Sequence, residues 1–372
     1  MINKKYCMSS YLTFRFIEDE NMNFYEGLNH KVYKPNNKKY SCKTWKDIDK
    51  AIINVLEKEY IPNKTAILLS GGMDSAILAS YLPEGTKAYT LKCISENAID
   101  ETERAKLYAE KYKLDHEIIE IRWEDYLELI PILLEHDKVP FHSIEPQLLK
   151  AAYIAKNDGI EKIITGASSD LIFGGMDKLL SKDWTFDEFV NRYTFVDPNL
   201  VLKEPVSMID IYNKYKMNNH IDFLKFMKEL SLLELNTSYM NAFNCADISY
   251  IDPYSYMYMS EPLDLNKIRN GNSKYLIRDL FRERYPNIKV PEKIPLPRSV
   301  NDWFRDWNGP KRYEFRDDID IDNFSGDQKW LIYCLEYFLN LFEDKTRQVI
   351  NILFIIILLY IKKSTFIKNN NG

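Results

Sequence analysis

Residues 70 to 75 read Ser-Gly-Gly-Met-Asp-Ser, directly behind the apolar run Ala66-Ile67-Leu68-Leu69 and directly ahead of the helix-forming stretch Ala76 to Leu82. No other feature constrains the fold as strongly. Ile67 to Leu69 are predicted to form a buried strand, Gly71 and Gly72 permit a tight turn whose amide protons converge, and the following helix points its positive end at the same spot. Such a unit traps an anion. Asp74 supplies a carboxylate able to hold Mg²⁺ against phosphates, while Ser70 and Ser75 offer hydroxyl donors to phosphate oxygens. ATP is the ligand this arrangement predicts.

The spacing is neither the Gly-x-x-x-x-Gly-Lys-Ser/Thr of a Walker loop nor the Gly-x-Gly-x-x-Gly of a dinucleotide fold. It resembles the PP-loop of the N-type ATP pyrophosphatases. That resemblance implies attack at the α-phosphorus with pyrophosphate as leaving group, in place of γ-phosphoryl transfer.

From Lys64 the pattern alternates. Lys87 to Cys93 reads as a strand, Glu101 to Tyr112 as a helix, His116 to Ile121 as a strand and Trp123 to Leu134 as a helix. Glu145 to Asn157 is a further helix, and Lys162 to Thr165 a short buried strand. Alternation of this kind predicts an α/β fold with a parallel, doubly wound sheet, helices on both faces, and a ligand crevice at the carboxyl ends of the strands. Ahead of it, Trp45 to Glu59 carries helical periodicity, and residues 1 to 45 alternate aromatic and polar residues as a few short strands or an irregular cap would. From about Trp184 onward strands fade and amphipathic helices such as Ile221 to Leu235 and Lys274 to Arg284 dominate. The expected division is a cap or remnant over 1–45, an ATP-binding domain over 46–310, and a helical extension with an apolar tail over 311–372.

The chain has 372 residues and a net charge of −5, with Lys and Arg scattered among Asp and Glu, so no basic stripe points to nucleic acid. Its five cysteines (Cys7, Cys42, Cys93, Cys245, Cys334) form no Cys-x-x-Cys pair, and its five histidines (His30, His116, His136, His142, His220) show no metal-binding spacing. A reducing cytoplasm fits this usage. No apolar leader is evident, and the apolar run Val349 to Ile361, thirteen residues long, falls short of the ~20 needed to span a bilayer. Packing is its expected role.

A second strand end, Ile163-Ile164-Thr165, opens into Gly166-Ala167-Ser168-Ser169-Asp170-Leu171-Ile172-Phe173-Gly174-Gly175. Two strand-end carboxylates, Asp74 and Asp170, can bracket Mg²⁺ and stabilise departing pyrophosphate. Here the chain resembles the synthetase domain of the asparagine synthetases and their β-lactam synthetase relatives. Gly166 to Gly175 is similar to that family's Gly-Glu-Gly-Ala-Asp-Glu-Leu-Phe-Gly-Gly segment. Asp137-Lys138-Val139-Pro140 resembles its Asp-x-Pro turn, and Ile251-Asp252-Pro253-Tyr254 sits where the family has Pro-Phe-Leu-Asp. Ser273-Lys274-Tyr275-Leu276-Ile277-Arg278 resembles its Gly-Lys-Tyr-Leu-Leu-Arg helix start. Val290-Pro291-Glu292-Lys293, with Trp303 ten residues on, is similar to its Arg-x-Lys segment. The resemblance spans roughly residues 45 to 310 and implies a PP-loop adenine-nucleotide α-hydrolase-like fold.

The resemblance further implies that Ser70, Gly71, Gly72, Asp74 and Ser75 bind ATP phosphates, that Leu91 and Gly166 lie by the adenosine, and that Asp74 and Asp170 hold Mg²⁺. Lys293 and Lys274 become the catalytic cations, Lys293 offsetting charge on the attacked carbonyl and α-phosphate. Two departures stand out. The family's glutamate after the first glycine, a tyrosine in β-lactam synthetases, is Ala167 here, so a proton acceptor must come from elsewhere. About 60 residues precede the loop and Cys7 is internal, so glutamine hydrolysis by a fused glutaminase is not expected. A separate glutaminase, ammonia or an amine remains as nitrogen source.

The expected function is ATP-dependent amide or lactam formation through an acyl-adenylate. A PP-loop sulfurtransferase or tRNA-modifying enzyme is the alternative, which calls for paired reactive cysteines and a basic face. A nucleotide-binding partner subunit without chemistry is the other, on the evidence of Ala167.

Overall fold

The chain is described from a computed structural model that covers residues 1–34, 39–293 and 296–343. The apolar run Val349 to Ile361 lies outside the described residues. Among the described residues no helix is long and apolar enough to cross a membrane.

Five parallel strands form the central sheet: β1 (Thr65–Leu68), β2 (Lys87–Cys93), β3 (Asp115–Ile121), β4 (Lys162–Ile164) and β5 (Ser249–Ile251), in the order β3-β2-β1-β4-β5. In the register of β1 on β4, Ala66 faces Ile163 and Ile67 faces Ile164. Since strand side chains alternate, Ala66 and Ile163 enter one core while Ile67 and Ile164 enter the other. A sheet buried on both faces needs apolar residues at both parities, which is why β1 reads as a continuous apolar run rather than an alternating one.

The helices that cover it are α1 (Lys4–Phe14), α2 (Trp45–Glu59), α3 (Met73–Ala79), α4 (Thr102–Lys111), α5 (Trp123–Asp137), α6 (Glu145–Asn157), α7 (Ser169–Ile172), α8 (Leu232–Cys245) and α9 (Tyr275–Arg284), with shorter turns between. Helices α2, α3, α4 and α9 pack on one face. Helices α1, α5, α6 and α8, with helical residues 326–343, pack on the other. The predicted parallel α/β sheet and the helix-rich second half are thus both present. Predicted bounds hold without change for α2, β2 and α6.

Two expectations need correction. Over Lys4–Phe14 the chain is a helix, not strands or irregular cap, started by Asn3, whose side chain accepts the Tyr6 N–H at 3.0 Å. Its residues Cys7 to Phe14 are all buried, so the helix has no long polar face and no 3.6-residue stripe from which to read it. The second concerns Ser249–Ile251, a fifth strand in the half of the chain where strands were expected to fade. At three residues it is too short to carry a period of two.

A third core lies beyond the sheet, built from Phe14, Phe16, Leu179, Trp184, Phe189, Tyr212, Phe226 and Leu230 among others. Its longest element runs from Phe223–Phe226 through a π turn, Met227–Ser231, into α8. The helix predicted over Ile221 to Leu235 therefore starts later and continues further.

Candidate active site

Strand order reverses between β1 and β4, because the chain steps from β1 outward to β3 and then returns to the other side of β1. Connections from two adjacent strands there leave in opposite directions and open a crevice at the strands' carboxyl ends. The Ser70–Ser75 loop leaves β1 and the Gly166–Gly175 loop leaves β4, so the two sequence-predicted loops flank this crevice.

In the first loop the two serines hold the turn. Their hydroxyls lie 2.9 Å apart, Ser75 Oγ accepts the Ser70 N–H at 3.0 Å, and Ser70 Oγ accepts the Gly72 N–H at 3.1 Å. Gly71 has a steric reason to be glycine: a Cβ there would sit 2.8 Å from Glu101 Cβ and 3.1 Å from Glu101 Oε2. Burial raises the Glu101 pKa, partly opposed by the Gly71 N–H that faces its carboxylate. A protein carboxylate thus already lies against this amide.

Where the two loops approach each other, four charged side chains meet. Lys274 Nζ lies 2.5 Å from Asp74 Oδ2 and 2.6 Å from Asp170 Oδ1, and Lys293 Nζ lies 3.0 Å from Asp170 Oδ2 and donates to the Gly175 carbonyl. Lys274 is 3 % exposed. Burial pulls its pKa down, but the two carboxylates outweigh that and hold it above lysine's usual value. For Asp170 burial pushes the pKa up, and the ammonium groups of Lys274 and Lys293 more than reverse it. The cluster is formally neutral, and within it Lys274 and Asp170 favour each other's charged form. Space for it comes from Gly175, where a Cβ would overlap Asp170 Oδ1 and reach within 2.6 Å of Lys274 Cε. Lys274 adopts a left-handed backbone, φ 52°, at the start of α9, which is strained for a side-chain-bearing residue.

Neighbouring elements lock these groups. Ser169 Oγ donates to Asp74 Oδ1 at 2.6 Å, and the Tyr254 hydroxyl donates to the Asp74 carbonyl at 3.1 Å. Asp252, just past β5, accepts the Ser168 N–H at 2.6 Å and the Tyr254 N–H at 3.0 Å, tying the second loop to the sheet edge. Burial raises the Asp252 pKa to about 6.

A cavity of about 390 Å³ opens over the crevice. Ser70, Asp74, Ser75, Leu91, Gly166, Asp170 and Lys293, all singled out in the sequence, line it. Gly71, Gly72 and Lys274 are not among the residues that line it. Ala167 lines it too. Sequence reasoning missed Glu101, Glu234, Arg298 and Arg15, which also line this cavity. Arg15 carried a signal: it is the single charge within Tyr11-Leu12-Thr13-Phe14-Arg15-Phe16-Ile17. In the structure it donates to Glu234 Oε2 at 3.0 Å and stacks 3.7 Å from the Phe195 ring centre. Glu234's pKa is raised by burial, with Arg15 opposing.

Among the described residues no group of three or more His, Cys, Asp or Glu gathers as a metal cluster, and the five cysteines are free thiols. No curated protein matches the chain with significant similarity. Residues 63–245 match the family model for asparagine synthase. The match takes in β1 with its glycine loop, β4 with its second loop, and α8. The region from residue 63 to residue 245 belongs to the asparagine synthase family, a family of ATP-using, amide-forming ligases.

Proposed function

We propose that this chain is an ATP-dependent ligase that activates a carboxylate as its acyl-adenylate and passes the acyl group to an amine or ammonia. One observation carries the reading: Lys274 bridges Asp74 of the first glycine loop to Asp170 of the second at the crevice, with Lys293 beside them. In the first step a carboxylate oxygen forms a bond to the α-phosphorus, the bond from that phosphorus to the bridging oxygen breaks, and pyrophosphate leaves with the electron pair. In the second, the nitrogen bonds to the acyl carbon, AMP leaves with the electrons of the carbon–oxygen bond, and nitrogen gives up a proton.

Ser70, Gly71, Gly72 and Ser75 cradle phosphate in this reading, and Leu91 and Gly166 border the adenosine. Lys274 and Lys293 are fixed cations whose charge needs no reorganisation as negative charge builds on phosphate and carbonyl oxygens. Asp74 and Asp170 also fit Mg²⁺, since Lys274 gathers both into one cluster and Mg²⁺ takes one or two protein carboxylates with phosphates and water completing its shell. When bound it would offset charge on the departing pyrophosphate. With Ala167 unable to accept a proton, that role falls to Glu234, which lines both the cavity and the chamber beside it together with Ala167, and whose pKa burial raises.

Labelled ATP tests the reading. AMP and pyrophosphate are expected in the presence of substrate; turnover to ADP and phosphate would sink it.

A further inference from the structure

Next to the crevice cavity lies a second, smaller chamber of about 180 Å³. The two share Arg15, Ala167, Asp170, Glu234 and Leu235 as common walls. Away from those residues the chamber is apolar except for Ser231 and the Tyr193 hydroxyl. Phe14 and Phe16 come from the N-terminal segment, Leu179 and Tyr193 from the short helices after the second loop, and Phe226 and Leu230 from the long helix at its π turn. A π turn widens a helix by one residue and re-aims its side chains, and such turns recur where helices line functional sites.

Two polar atoms in this wall are buried without a hydrogen-bond partner, Arg15 Nε and the Tyr193 hydroxyl. Buried donors are rarely left so, and a bound molecule that brings an acceptor would relieve them. The ion pair Arg15–Glu234 stands where the two cavities meet, and no other Lys, Arg or His lines the chamber. Aspartate, whose amide names the family, would have to place its ammonium and second carboxylate among phenylalanine and leucine side chains, with only that pair and Asp170, already held by Lys274 and Lys293, to serve both. Burial of unpaired charge makes this unfavourable.

We propose that the chamber is the acyl-substrate pocket and that it takes a carboxylic acid with an apolar end of about phenyl size, its carboxylate lying by Ala167 and Asp170 toward the nucleotide. The assignment rests on the ligase reading for what the carboxylate does there, but not for what the chamber binds. Selection follows from apolar area: each methylene withdrawn from water improves affinity roughly fourfold until the chamber is full.

Calorimetric titration of the whole chain with 3-phenylpropanoate, hexanoate, acetate and L-aspartate tests the pocket, and acid-dependent exchange of labelled pyrophosphate into ATP tests activation. Phenylpropanoate is expected to bind at least thirtyfold more tightly than acetate or aspartate and to support exchange. Leu230→Ala should move the preferred length upward and Leu230→Phe downward, opposite shifts that a folding defect does not produce. Aspartate binding more tightly than phenylpropanoate, or a length preference unmoved in both variants, overturns the proposal. Leu230-dependent binding without any exchange would uphold the pocket and overturn the ligase reading.

Discussion

Lys274 Nζ and Asp74 Oδ2 lie 2.5 Å apart, though 200 residues separate them in sequence. Both sit at the crevice, and the same ammonium reaches Asp170 at 2.6 Å. One buried cation thus joins the Ser70–Ser75 loop to the second loop.

Removing that cation leaves two carboxylates facing each other. Lys274→Met is expected to lower stability by about 3 kcal/mol, as for breaking a buried ion pair, and to abolish turnover. Adding Asp170→Asn should restore part of the stability but none of the turnover. Urea unfolding of the single and double variants measures both; equal stability of Lys274→Met and the parent chain would mean that the bridge contributes nothing.

Gly175→Ala tests the space that the cluster needs. The added methyl cannot coexist with Asp170 and Lys274 in their present positions. Displacing groups by about an ångström costs on the order of a hundredfold in rate, so steady-state turnover should fall at least that far, with a lowered melting temperature as the buried ion pairs are pushed apart. Retained turnover would show that the two side chains reach their working positions by another route.

Lys293 and Glu234 are assigned to the second half of the reaction. Lys293→Met should still bind ATP while losing amide formation by roughly a hundredfold or more. Glu234→Gln, which keeps a partner for Arg15, should retain pyrophosphate exchange and lose amide formation. Single-turnover assays with separate detection of pyrophosphate and amide distinguish the two steps. Loss of exchange in Glu234→Gln would remove it from the role of proton acceptor.

Asp252 gives a pH signature. Its folded pKa, about 6, lies above that of an unfolded aspartate, so the folded chain binds the proton more tightly. Stability is therefore favoured below about pH 4, falls as pH rises toward 6, and levels off beyond, with a total change of up to roughly 3 kcal/mol. Asp252→Asn should be less stable throughout, because an amide NH₂ then faces the Ser168 or Tyr254 N–H, and its stability should vary less across that interval. Chemical denaturation at stepped pH reads both effects.

The two glycine loops were legible in the sequence because their chemistry is local: turn, hydroxyls and carboxylate all lie within a few residues of one strand end. The sheet was legible for a related reason, since strands buried on both faces read as apolar runs. What brings Arg15, Glu101, Glu234 and Arg298 together is topology. Each comes from a different part of the chain, and spacing says nothing about crossings between distant segments. Helix α1 escaped because it is enclosed, and β5 because three residues carry no periodicity. The lysines stood out only through resemblance; that Lys274 joins two carboxylates needed coordinates.

The Phe141 carbonyl accepts both the Tyr11 hydroxyl, at 2.8 Å, and the Trp330 indole N–H, at 3.1 Å. Helix α1 and the helix over 326–343 are therefore seated on one backbone oxygen of the α5–α6 connection. During synthesis the first of these emerges from the ribosome early and the second late. Until the later one arrives, α1 lacks part of its enclosure, and Arg15, just past its end, has an incompletely fixed origin. Gln328 of the late helix also donates to the Phe195 carbonyl, so the chamber wall that Phe14, Arg15, Phe16 and Phe195 form gains its last supports when that helix docks.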